Sequence, residues 1–268
     1  MTQSVDSLLD VAEAYDAIVL DQWGVLHDGT TPYPGAIDAV ARLKAQGRRL
    51  AVLSNSGKRA APNAARIAAM GFDVDLFDLV MTSGEALWRD IAEGRVPHRV
   101  FHPITRDDGD AQAWADGLNV ELAEENAAEA VLLMGLPDGE GMRPLPALPV
   151  YCTNPDRASP RAGGVTVISP GALAHAHQEN GGDVTFYGKP HVPIFRAVEA
   201  ALGTTSLLMV GDSLEHDIAG GQGAGWDTCF VRGGLHAGAF TGDVLTDLTA
   251  LAGAELAPMP TYTLQHLG

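Results

Sequence analysis

Five polar residues flank the apolar runs of this sequence. Asp21 closes "AIVLD", Ser54 and Asn55 close "RLAVLSN", Lys189 lies in "YGKPHV", and Asp212 closes "LLMVGD". Taken singly, an Asp or Ser at a strand end is more often a helix cap or a turn residue. As a set they offer two carboxylates, a hydroxyl, an amide and an ammonium, the groups that a divalent cation and a phosphoryl group need. Carboxylates hold a hard cation such as Mg²⁺, a hydroxyl and backbone N–H groups take phosphate oxygens, and an ammonium offsets the remaining negative charge.

Such a set meets only if the fold brings strand ends to one edge. Short aliphatic runs alternate with alanine-rich segments of helical period: "AIVL" (17–20), "GAIDAVARLKAQG" (35–47), "RLAVLSN" (49–55) and "RAAPNAARIAAMGF" (59–72). That alternation marks βαβ units in a parallel sheet, with Ile37, Val40, Ala41 and Leu43 expected near one helix face. A second series closes the chain, with a helix at 192–203, a strand at 206–213, a short helix at 216–225 and a strand at 227–234. Between the two series lie further apolar runs at 99–104, 130–136, 148–154 and 164–169, and a loop rich in Gly and Pro at 137–149. The expected architecture is α/β, a doubly wound parallel sheet formed by residues 1–82 and 185–268, with residues 83–184 inserted as a smaller α/β domain. Ligands of open parallel sheets bind beyond the carboxyl ends of the strands, where the polar residues stand.

Composition narrows the function classes. The 268 residues are 46% hydrophobic and carry a formal charge of −17, which disfavours nucleic acid and anionic membranes as partners. Two cysteines, Cys152 and Cys229, lie far apart and suggest neither a disulfide framework nor a cysteine zinc site, which fits a reducing cytoplasm. The first twenty residues are acidic where a signal peptide would be basic, and no apolar run approaches the ~20 residues needed to span a bilayer.

"DQWGVLHDG", "VLSNSGKR", "YGKP" and "VGDSLEHDI", in that order, resemble the four motifs of the haloacid dehalogenase superfamily of hydrolases. "YCTNPDR" and "SPGAL" resemble the cap of its class IIA branch, which includes sugar-phosphate, nitrophenyl-phosphate and pyridoxal phosphatases. The resemblance implies a Rossmann-like core with a class IIA cap and Mg²⁺-dependent hydrolysis of a small phosphorylated metabolite. It makes Asp21 the nucleophile, and Asp21, Asp212 and the backbone carbonyl of Trp23 the metal ligands, with Asp217 supporting from behind. Gly24, Ser54 and the N–H of Asn55 would hold the phosphoryl oxygens, and Lys189 would steady both nucleophile and phosphate. Asn154, Asp156 and Arg157 would touch the substrate, against the alternative that "NPD" is only a turn. Oligomeric state is open, with a homodimer among the alternatives.

One position departs from the pattern. Phosphatases of this family usually carry a second Asp two residues after the nucleophile, which protonates the leaving alcohol and later activates water. Here that residue is Trp23, whose indole N–H is only a donor and has no titratable proton near neutral pH. His27 and Asp28 in the following turn are substitutes to weigh, against a turn role. The alternative function is a catalytically degenerate binder of phosphorylated metabolites. Asn55 and Ser56 also read as helix caps, Trp88 and Trp114 as packing residues, and His175 and His177 as an HxH pair with no third ligand placed beside it.

Overall fold

The computed structural model describes residues 2–160 and 166–268. In chain order its strands are β1 (Gln3–Ser4), β2 (Ala17–Asp21), β3 (Arg49–Ser54), β4 (Leu79–Thr82), β5 (Val100–Ile104), β6 (Glu121–Leu122), β7 (Ala130–Leu133), β8 (Val150–Cys152), β9 (Ala158–Pro160), β10 (Thr166–Ile168), β11 (Val184–Phe186), β12 (Leu207–Gly211), β13 (Asp227–Val231) and β14 (Tyr262–Leu264). The helices are α1 (Ala36–Ala45), α2 (Ala60–Ala69), α3 (Ser83–Ala92), α4 (Asp110–Ala115), α5 (Pro170–Glu179), α6 (Val192–Leu202), α7 (Ala219–Gly223) and α8 (Val244–Ala254). The start of the strand expected at 164–169 falls outside the described residues.

The chain divides into two compact units, one of residues 1–54, 64–81 and 195–268, the other of residues 55–63 and 82–194. The domain expected from sequence, 1–82 with 185–268, includes residues 55–63, 82 and 185–194, which group here with the second unit. Contacts of Asn55 and Arg59 account for the first segment, because both side chains bond to residues of the second unit.

The first unit is built on a seven-stranded sheet in the order β1-β14-β13-β12-β2-β3-β4, parallel in its pairings from β1 through β3. Ile18, Val19 and Leu20 are all fully buried, as is expected of a central strand covered on both faces. Along β13, Cys229 and Val231 enter one apolar cluster with Val40 and Leu43 of α1, while Phe230 enters another with Leu248 and Ala252 of α8. Alternate side chains of a strand point to opposite faces, so the sheet is doubly wound, as expected. In α1 the buried face is Ala36, Ala39, Val40 and Leu43, whereas Ile37 and Ala41 are exposed. The spacing i, i+3, i+4, i+7 defines that stripe, and positions 37 and 41 lie about 100° round from it.

The second unit carries a five-stranded parallel sheet in the order β11-β8-β7-β5-β6 and a separate antiparallel pair, β9 with β10. "SPGAL" opens α5 with Pro170 in its first turn, a position that needs no backbone N–H. Trp114 is buried and donates its indole N–H to the Gly84 carbonyl at 2.8 Å, and the Arg59 guanidinium lies 3.8 Å over the Trp88 ring. Glu85 anchors this corner. Burial disfavours its charge, but bonds from Arg59 and the Ala60 N–H outweigh that and hold its carboxyl below the usual range. No helix among the described residues is long and apolar enough to cross a membrane.

Leu20 sits at the centre of the first sheet, one residue before Asp21, with no exposed surface. Leu20→Ala should cost about 2–5 kcal/mol, read as a lower urea midpoint of the transition that reports the first unit.

Candidate active site

Asp21, Asp212 and Asp217 converge, each offering a carboxylate oxygen within 4.8 Å of the others. Parallel register brings the first two together. Leu20 of β2 lies opposite Val210 of β12, so Asp21 ends one strand where Asp212 follows the other. Beyond β12 the chain enters a π-helical turn, Leu214–Ile218, capped by Ser213, whose hydroxyl accepts the His216 N–H at 3.1 Å. The wider turn carries Asp217 back over the strand end, where Oδ2 accepts the Ser213 N–H at 3.1 Å. Asp212 and Asp217 are buried and Asp21 is half-buried.

Close backbone approach fixes the Asp212 carboxylate. The Leu235 N–H donates to its Oδ2 at 2.6 Å, and two glycines leave room for it. A Cβ added to Gly24 would lie 1.7 Å from that oxygen, and one added to Gly234 would lie 2.2 Å from it. Gly24 also has φ +86°, a conformation that side chains disfavour. The sequence reading missed Gly234 and Leu235 by extending the strand through residue 234. β13 ends at Val231, and the "GG" pair was the available signal.

The turn after Asp21 is tightly bonded. The N–H groups of Leu26 and His27 both donate to the Gln22 carbonyl, at 2.9 and 3.1 Å, and the Gly24 N–H donates to the His27 carbonyl at 3.0 Å. Trp23 is 41% exposed, and its indole nitrogen packs on Gly29. His27 is buried with Nδ1 accepting the Gly29 N–H at 3.0 Å, which places its own proton on Nε2. Burial first, and the Arg66 charge second, push its pKa down to about 4. Near pH 7 this imidazole is neutral and its only lone pair is used. Asp28 accepts the N–H groups of Thr31 and Thr30 at 2.8 and 2.9 Å and the Thr30 hydroxyl at 2.8 Å, bonds that hold its carboxyl well below the usual range. It is therefore an ionised turn residue.

Ser54 ends β3, one residue after Leu53, which pairs with Asp21. In the second unit Asn55 grips Lys189: its Oδ1 accepts the Lys189 N–H at 2.7 Å and its Nδ2 donates to the Lys189 carbonyl at 3.1 Å. The same Nδ2 donates to Asp156 at 2.8 Å. Asn55 is thus a tether rather than a helix cap, and among the described residues the Ser56 hydroxyl accepts the Lys58 N–H alone, at 3.3 Å. Asn154 closes a turn by accepting the Asp156 N–H at 3.2 Å, and Arg157 pairs with Glu179 at 3.2 Å on the surface. His175 stacks on Phe186 with ring centroids 4.5 Å apart, while His177 packs against Gly182.

A family model described as haloacid dehalogenase-like hydrolase matches residues 18–112, and one described as HAD-like hydrolase matches residues 186–266. A crystal structure of a haloacid dehalogenase-like hydrolase from Brucella suis 1330 is 32% identical, covers 98% of this chain and 100% of its own, and superposes with a TM-score of 0.77. The chain belongs to the haloacid dehalogenase-like hydrolases. Among relatives in this family, human chronophin is 27% identical over 85% of each chain. The D-glycerol 3-phosphate phosphatase of Mycobacterium tuberculosis is 24% identical over 84% of this hydrolase, which spans only 65% of that longer protein.

Gly24→Ala should lower the thermal midpoint far more than Gly47→Ala, because Gly47 shares a positive φ of +76° but has open space around it. The Gly47 variant should lose about 1–2 kcal/mol from backbone strain alone. The His27 shift predicts a pH dependence. Above about pH 6.5 the imidazole is neutral in both states and contributes nothing. As pH falls towards about 4 the unfolded chain takes up a proton that the folded chain refuses, so stability declines across that window. His27→Asn keeps an acceptor for the Gly29 N–H and should remove up to about one proton from the uptake on unfolding measured over that range.

Proposed function

We propose that the protein is a divalent-cation-dependent phosphatase acting on a small phosphorylated metabolite, with Asp21 as nucleophile. The convergence of Asp21, Asp212 and Asp217 within 4.8 Å carries this reading. Three hard oxygen donors at the carboxyl edge of a parallel sheet fit one Mg²⁺, held by Asp21, Asp212 and the Trp23 carbonyl, with Asp217 steadying the shell. Bound there, the cation would withdraw charge from the phosphoryl oxygens. The name of the mycobacterial relative, D-glycerol 3-phosphate phosphatase, supports a small phosphorylated substrate.

In this reading a carboxylate oxygen of Asp21 attacks phosphorus, and the bond from phosphorus to the leaving oxygen breaks. Water then attacks the aspartyl-phosphate, returning the carboxylate and releasing phosphate. Gly24, Ser54 and the Asn55 N–H hold the phosphoryl oxygens and Lys189 neutralises them, roles that rest on their places in the family motifs. Asn154, Asp156 and Arg157, with the second unit as cap, are proposed to contact the rest of the substrate. A second reading, a binder of phosphorylated metabolites, is favoured by the turn itself: Trp23, the neutral His27 and the ionised Asp28 offer the leaving oxygen no proton.

Initial rates on aryl and alkyl phosphates, with and without Mg²⁺, test both readings. A positioned acid contributes about 10²–10⁴-fold, so turnover should be weak and faster on aryl than on alkyl esters. Asp21→Asn should abolish it and Trp23→Asp should raise it. Turnover that survives Asp21→Asn would overturn the nucleophile assignment, whereas cation-dependent binding without turnover of any ester would establish the binder.

A further inference from the structure

Arg232 immediately follows β13 and is only 8% exposed, yet its Nε has no hydrogen-bond partner and no carboxylate pairs with it among the described residues. Burying a guanidinium without an acid is costly, by several kcal/mol even after relaxation. Desolvation accordingly lowers its pKa. The ionisable group that bears on it is the Cys229 thiol, which burial pushes far up, so it remains protonated and supplies no countercharge.

The position is as telling as the missing partner. Gly211 of β12 pairs with Phe230 of β13, which sets Arg232 at the carboxyl edge of the sheet, on the strand adjoining that of Asp212. Gly233 follows with the His266 ring packed on it, an added Cβ lying 1.9 Å from the imidazole Cε1. Gly234 packs in turn on the Asp212 carboxylate. The backbone that follows Arg232 is therefore pinned by His266 and Asp212, and neither glycine has a side chain that could answer the guanidinium.

We propose that Arg232 forms an oxyanion slot at the carboxyl end of β13, separate from the carboxylate cluster, that takes a carboxylate or phosphate group in a two-point contact. The planar guanidinium presents parallel N–H donors matched to two oxygens of such a group, a geometry that an ammonium does not reproduce. The anion has two possible sources, a second acidic group on the substrate or a free ion. This assignment stands whether or not the protein turns over phosphate esters.

Binding in the absence of metal isolates the slot, because without a cation the three carboxylates repel phosphate. In excess EDTA, inorganic phosphate should raise the thermal midpoint of the wild-type protein saturably. Arg232→Met should lose that rise, and Arg232→Lys should need about 10- to 100-fold more phosphate for the same shift. The ¹⁵N signal of the Arg232 Nε–H, assigned by its absence from the Arg232→Lys spectrum, should move with the same saturation curve, which keeps the test open if Arg232→Met does not fold. A shift retained in Arg232→Met, or an unmoved Nε–H signal in the wild type, would overturn the proposal. The source is read with Mg²⁺ in the Asp21→Asn background, using ethyl phosphate and a two-carbon compound with phosphate at one end and carboxylate at the other. Selective weakening of the two-ended compound by Arg232→Lys identifies a substrate group, and equal affinities for both compounds identify a free ion.

Discussion

Three carboxylates held within 4.8 Å of one another are the constraint around which the first unit is arranged. At an effective dielectric near 20, two unit charges at that separation repel by about 3 kcal/mol, enough to push side chains apart unless the backbone prevents it. Here it does. Asp21 cannot retreat because β2 is sealed on both faces, Asp217 is drawn in by the Ser213 N–H, and Asp212 is enclosed by Gly24, Gly234 and the Leu235 N–H. Each restraint is backbone geometry, set by strand register or by a missing side chain. The acidic edge is therefore as rigid as the sheet, which is what a cation of strict coordination geometry needs.

The turn between β2 and α1 has a different logic. Its residues are chosen for mutual satisfaction: Gly29 alone meets the Trp23 indole, gives its N–H to His27 and its carbonyl to Arg66. Asp28 saturates itself on two threonines. These bonds consume the His27 lone pair and the Asp28 oxygens, and the buried His27 Nε2 proton, without a partner among the described residues, belongs to a neutral imidazole, far too weak an acid to protonate a leaving group. The same sequence change that places an indole at position 23 thus sits in a segment whose other titratable groups are already committed.

What was legible in the sequence follows the physics that each feature rests on. The central strands and their polar ends could be read because buried parallel strands are unbroken aliphatic runs and because motif spacing is local. The small terminal strands β1 and β14 could not, since two or three residues carry no periodicity. The buried face of α1 was misread by including Ile37 and Ala41, where hydrophobic type misled and angular position decided. Asn55 reads from sequence as a cap or, through its backbone N–H, as a phosphate contact; its side chain makes two bonds to Lys189, a residue 134 positions away, and one to Asp156, none of which a local motif could show. Gly234 and Arg232 were hidden for the same reason, because their significance lies in what stands beside them on the neighbouring strand.

Loss of a proton partner weighs unequally on the two halves of phosphoryl transfer. In the proposed reaction, attack by Asp21 would leave charge on the departing oxygen, so the cost would vary with that group: an aryl oxide bears the charge itself, while an alkoxide does not. Hydrolysis of the aspartyl-phosphate is common to every substrate, and there the missing function is a base for water. Under that proposal, good leaving groups would make the second half limiting and the phosphorylated protein would accumulate; with poor ones the first half would fail and the substrate would merely be bound. Enzyme and binder would then be two regimes of one site, separated by the acidity of the leaving group, with Trp23 as the residue that sets the boundary.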